Sequence, residues 1–248
     1  YPQMAARPVE ADYQDAETGA FDSEAYMVAW EAWQKSLQAQ QEQAEGDMEG
    51  LESFFARSTR QFLGGSVEEN RVYSPLNLYM ALAMLAETTE GQSRQQVLDL
   101  LGTDSLESLR EQAAALWNGS YCDDGVSTSV LANSLWLNQS IPYNQTTMEA
   151  LAEHYYASSF QGEMGSEAYN QALRDWINQQ TGGLLEEQAG GLSMSPDTLL
   201  ALASTVYFKA GWSQAFSQTE ADVFYGPDAE RTCDFMRQSD QQSLYWGD

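Results

Sequence analysis

One histidine in 248 residues leaves almost no room for the general-base chemistry of Ser-His or Cys-His hydrolases. That imidazole, His154, stands in Glu153-His154-Tyr155-Tyr156 at the end of an expected helix, where an ordinary surface or capping role accounts for it. Cysteine is nearly as scarce. Cys122 and Cys233 have no C-x-x-C spacing and cannot make a disulfide framework, so both read as free thiols. Basic residues number 11 against 37 acidic ones, and the formal charge of -26 repels nucleic-acid phosphates and anionic lipid surfaces. No apolar run approaches the roughly 20 residues of a membrane span, and Tyr1 to Ala20 lack the zones of a secretory signal. Zinc-ligand spacings, glycine-rich phosphate loops and EF-hand spacings are all missing, so no metal, cofactor or catalytic residue is assigned and the chain reads as a non-enzyme. Nor does any pair among the 37 carboxylates stand out for glycoside hydrolysis. Three-residue glycosylation sequons start at Asn118, Asn138 and Asn144, a pattern short enough to recur by chance.

What remains is globular material, 43% hydrophobic and 12% aromatic. Residues 1–52 carry twelve acidic and two basic side chains and are rich in Gln and Ala. They read as an acidic extension over residues 1–50, ahead of one domain over 51–248. Within it Tyr26, Trp30 and Trp33 recur at i, i+4 and i+7, so a helix aligns them on one stripe that docks on the domain or on a partner.

From Leu51 the pattern is helical until Gly64-Gly65. Ser74 then offers an N-cap to a helix whose first residue, Pro75, tolerates the missing N–H. That helix, through Glu87, is apolar almost all the way round and belongs in an interior. Amphipathic helices follow over Ser93–Leu101, Ser105–Trp117, Thr146–Tyr155 and Ser166–Gln179, and a short strand over Tyr156–Gly162. Thr128–Leu137 and Leu199–Phe208 carry apolar residues on both faces, the pattern of strands covered from two sides. The class is α+β, with a helical first half on one dominant sheet.

Asn70-Arg71-Val72-Tyr73-Ser74-Pro75-Leu76-Asn77, continuing through Ala81-Leu82-Ala83-Met84-Leu85 and Gly91-Gln92-Ser93, resembles the serpin segment that runs into buried helix B. Asn133-Ser134-Leu135-Trp136-Leu137, Tyr155-Tyr156-Ala157, Trp176-Ile177 with Thr181-Gly182-Gly183, and Leu202 to Trp212 with Phe216 follow in the family's order, and Thr219, Phe224 and Met236 continue it. The chain is similar to the N-terminal portion of a serpin. The resemblance implies a serpin-like fold with a large central sheet A, incomplete at its C-terminus. It implies inhibition of a serine or cysteine protease by insertion of a cleaved reactive loop into that sheet. The loop falls beyond the matched motifs and is absent here, so the chain alone is expected not to inhibit. Ser74 falls in the family's shutter and Trp212 in its breach. Asn77 stands where serine is common and Ser204 where asparagine is common, an exchange that keeps a hydrogen-bond pair available. The plainer roles, Ser74 as an N-cap and Trp212 as core, stay open. A target protease is the implied partner, self-association through exposed strand edges is expected, and an extracytoplasmic location follows from where such inhibitors commonly work. The alternative is a non-inhibitory binding or scaffold protein on the same body.

Overall fold

The structure, a computed structural model, describes residues 1–46, 50–65, 71–212, 216, 218–226 and 228–237. Asn70, the first residue of the motif around Ser74, lies outside them. By contacts the chain divides into two compact units, Tyr1–Lys209 and Ala210–Asp248.

The first unit is built on two strands with apolar side chains on both faces. β2 (Thr128–Asn138) runs antiparallel to β4 (Leu200–Lys209) through ten residue pairs, from Thr128 opposite Lys209 to Leu137 opposite Leu200. On its other edge β2 meets short β1 (Cys122–Asp123) and then, in parallel, β3 (Ala157–Gly162). Successive side chains of a strand point to opposite faces, so β2 feeds two cores at once. Leu131, Leu135 and Leu137 join one with Leu200 and Leu202, while Ala132 and Trp136 join the other with Ala201 and Ala203. Among the described residues no strand pairs with the far edge of β4.

The Leu face rests on α3 (Pro75–Glu87), whose Tyr79, Met80, Ala83 and Met84 are fully buried. As the local sequence signals, the Ser74 side chain accepts the Asn77 N–H and Pro75 opens the helix. Around α3 lie α2 (Leu51–Leu63), α4 (Gly91–Leu101), α5 (Leu106–Ser120) and α6 (Gln145–Tyr155). The start of α2 crosses the end of α4 so closely that a Cβ on Gly50 would stand 2.4 Å from the Gly102 carbonyl oxygen. Both glycines have positive φ, so the crossing needs glycine on two counts. The opposite face carries α7 (Glu167–Gln180), with Tyr169, Leu173, Trp176 and Ile177 turned inward around Trp136, followed by the single turn α8 (Glu186–Ala189). The second unit contains a hairpin of β5 (Gln218–Tyr225) and β6 (Glu230–Arg237).

The acidic first residues lie in the same unit as the helices. After a 3-10 turn at Glu10–Tyr13, α1 (Ser23–Gln43) packs on α5. Its aromatic stripe runs along itself, Tyr26 stacked on Trp30 and Trp30 edge-on to Trp33, and ends in the buried Trp33, whose indole donates to Asp124 at 3.1 Å. Gln40, two turns further along that face, donates to the Asn118 side chain at 2.9 Å. Asn118 is itself buried and its amide donates to the Ala114 carbonyl, so the sequon there is closed to a glycan. These bonds also explain why α5 runs to Ser120, three residues past the expected end at Trp117.

Candidate functional site

In the middle of the Leu face β2 and β4 each place one polar residue between apolar neighbours, and the register sets those two directly opposite one another. Asn133 pairs with Ser204. Asn133 is fully buried and Ser204 half-buried, so their polar atoms have to be satisfied by protein. Asn77, on the first turn of α3, donates its side-chain amide to the Ser204 hydroxyl at 2.8 Å. The hydroxyl donates onward to Asn133 Oδ1 at 2.8 Å, and Asn133 Nδ2 donates to the Tyr155 carbonyl at 2.9 Å. Three side chains thus bridge α3, β4, β2 and the end of α6 in one directional chain of hydrogen bonds.

Ser74 acts on this chain from behind, as the N-cap that sets the first turn of α3 and so aims Asn77. Ser74, Asn77 and Ser204 therefore converge, and the exchanged serine and asparagine do meet. Trp212 belongs to the second unit, where its ring lies edge-on to Phe216 at 5.2 Å. In the sequence Asn133 is marked only as part of a strand motif. The signal that could have singled it out is an amide in the middle of a strand whose neighbours on the same face are all leucine.

A second polar group anchors the far end of α3. Glu87 is buried, and Arg110 from α5 grips it with both nitrogens of a bidentate pair, Nε at 3.0 Å and Nη2 on the other oxygen. The Tyr155 hydroxyl donates to the same carboxylate at 3.3 Å. The hydrogen bond to Glu87 raises the Arg110 pKa, and burial first, then the Glu87 charge, pushes that of Tyr155 well up. Tyr155 thus belongs to both groups, through its carbonyl to Asn133 and through its hydroxyl to Glu87. Next to it, Tyr156 takes the left-handed conformation at φ 50° that closes α6, and its ring lies flat on Trp117 at 3.7 Å. A non-glycine residue held there stores roughly 1–3 kcal/mol of strain. The stack on Trp117, whose indole donates to the Leu131 carbonyl of β2 at 2.6 Å, holds it in place.

Among the described residues no group of three or more His, Cys, Asp or Glu is placed to hold a metal ion, and no helix is long and apolar enough to cross a membrane. The arrangement has no nucleophile and no base beside one. What it can do is hold two neighbouring strands and the helix beneath them together by bonds that a sideways movement of β4 would break.

The family model for Serpin (serine protease inhibitor) matches residues 49–247, and the chain belongs to that family. It is similar to Serpin-Z1C of Triticum aestivum, 29% identical over 187 residues, which are 72% of this chain and 47% of that protein. It is likewise similar to Serpin-ZX of Arabidopsis thaliana, 28% identical over 187 residues, 71% of this chain and 47% of the relative. The chain spans about half the length of the curated relatives it matches. Among solved structures, an Arabidopsis serpin in its native stressed conformation superposes with a TM-score of 0.66 at 22% identity, covering 80% of this chain and 52% of that one. Tengpin, a thermophilic serpin in the latent state, gives 0.65 at 20% identity, covering 77% and 52%. The fold is α+β and serpin-like.

Proposed function

We propose that this chain is the N-terminal portion of a serpin-type inhibitor that traps a serine or cysteine protease as a suicide substrate. In such an inhibitor a reactive loop, cleaved to an acyl-enzyme, inserts into the central sheet as a new strand. The observation that carries the reading is the hydrogen-bonded group of Asn77, Ser204 and Asn133, which ties β4 and β2 to the helix beneath them. Once β4 moves aside, its N–H and C=O groups are a template for one more strand. A latch made of side-chain hydrogen bonds, each worth about 0.5–1.5 kcal/mol net, is firm enough to hold β4 and weak enough to be broken by a full ladder of new backbone bonds.

Ser74, Asn77 and Ser204 take the role of the shutter in this reading, with Asn133 as a fourth member, and Trp212 that of the breach. Self-association by strand addition is the side reaction of the same mechanism, and an extracytoplasmic site of action goes with the proposal. The scaffold alternative gains nothing from α1, because the stripe it would offer to a partner ends in a tryptophan already buried against Asp124.

The test is a panel of serine and cysteine proteases incubated with the native protein from its source and with the 248-residue chain, each resolved by denaturing electrophoresis. A covalent complex is expected for the native protein with at least one protease and for the 248-residue chain with none. Cleavage of the native protein by every protease without a complex would sink the inhibitor reading.

A further inference from the structure

Where the end of β2, the start of β4, the end of α3 and the first turns of α4 and α6 meet, the first unit forms a half-open pocket of about 310 Å³. That is the lower end of the range in which proteins hold small molecules, roughly 300–1,000 Å³. One part of its wall is aliphatic, Leu135 and Leu137 of β2, Ile141 of the following loop, Met148 of α6 and Leu200 of β4, and Thr88 and Thr89 are among the polar residues of the rest.

One side of the cavity is differently charged from the rest of this acidic chain. Arg94 lines it, half-buried, with its Nε held by the Ala86 carbonyl at 3.1 Å. Among the described residues no carboxylate lies within ion-pair distance of Arg94, and its terminal nitrogens have no hydrogen-bond partner. In a sequence with 37 acidic side chains to 11 basic ones, a half-buried guanidinium left without a carboxylate is unusual. Its position adds to the imbalance. Arg94 is the fourth residue of α4, at the positive end of a helix that has no side-chain cap, where a further positive charge is disfavoured unless an anion answers it. The first turn of α6 also lines the cavity, through Asn144 and Thr147. Two acidic groups border the space. Glu87 is already neutralised by Arg110, and Glu90 stands at the cap position of α4.

We propose that this cavity binds a small amphipathic monocarboxylate, its alkyl chain against the leucine, isoleucine and methionine wall and its carboxylate on the free nitrogens of Arg94. The aliphatic wall selects the tail, and the unanswered guanidinium selects the sign of the head. The site is separate from the hydrogen-bonded group under the strands and does not depend on inhibitory activity.

Titration calorimetry of the native protein with octanoate is the test, with octanol and octylammonium as neutral and cationic controls. Octanoate is expected to bind saturably at one site, octanol about tenfold more weakly and octylammonium not measurably. Arg94→Gln should lower octanoate affinity about tenfold and leave octanol unchanged, Arg94→Lys should restore part of the loss, and Glu90→Gln should tighten octanoate two- to threefold. Thr147→Trp, which fills the cavity, should abolish binding of both octanoate and octanol. No saturable octanoate binding, equal binding of octylammonium, or undiminished octanoate binding by Arg94→Gln would each overturn the proposal.

Discussion

Arg110→Met is expected to lower the stability of the native protein by about 3–5 kcal/mol, the usual cost of removing one partner from a buried ion pair. The reason lies on the other side of the pair. Glu87 is 4% exposed, and without Arg110 its carboxylate keeps only the 3.3 Å hydrogen bond from Tyr155. An unpaired charge at that depth has to be desolvated without compensation. Arg110 itself is 30% exposed, so water reaches the gap and the lower end of the range applies. Chemical denaturation measures the loss, and the double variant Glu87→Leu/Arg110→Met supplies the control. It removes both charges and should recover most of the stability, because a buried pair replaced by apolar groups is often neutral. A double variant no more stable than Arg110→Met would show that the guanidinium matters for packing and not for Glu87.

The second large effect falls on Asn133. Asn133→Ala removes the acceptor of the Ser204 hydroxyl and the donor to the Tyr155 carbonyl, and leaves a small void at a position with no solvent access. Two orphaned partners and the void together are expected to cost about 2–4 kcal/mol. In a protein of this size that is a fall in melting temperature of roughly 5–15 °C. Asn133→Asp is the informative companion. It keeps the acceptor and the shape, and only its protonated carboxyl can donate to the Tyr155 carbonyl, so it should fall between the wild type and the alanine variant and lose stability as pH rises. An alanine variant that melts with the wild type would mean that the three-residue bridge contributes nothing to holding β4.

How much of this could be read from the chain depends on how local each signal is. The N-cap at Ser74, the proline at the first position of α3 and the stop at Gly102 are each written within about four residues of the helix end they set, and each helix starts or ends where that chemistry places it. The two-faced strands were legible too, because alternation within β2 and β4 is written into ten consecutive residues. What the chain does not write locally is register. Asn133 and Ser204 are 71 residues apart, and only the pairing of β2 with β4 makes them opposite. The resemblance to serpins drew attention to Ser204 and Asn77, whereas Asn133 had no such pointer. Glu87 and Arg110 were hidden differently, one carboxylate among 37 with nothing in its neighbours to mark it as buried. The stripe on α1 shows both sides at once. Its spacing was plain from Tyr26, Trp30 and Trp33, yet the residue it docks on, Asp124, lies 91 positions further along.

The most direct test of the account is the melting temperature of the native protein before and after proteolytic cleavage in its reactive loop. If the cut loop inserts beside β4, the inserted strand adds a ladder of backbone hydrogen bonds worth about 0.5–1.5 kcal/mol each, and the cleaved form should melt more than about 10 °C higher. A cleaved form that melts at the same temperature as the intact one, or lower, would contradict the account, because no strand would then have been added to the sheet.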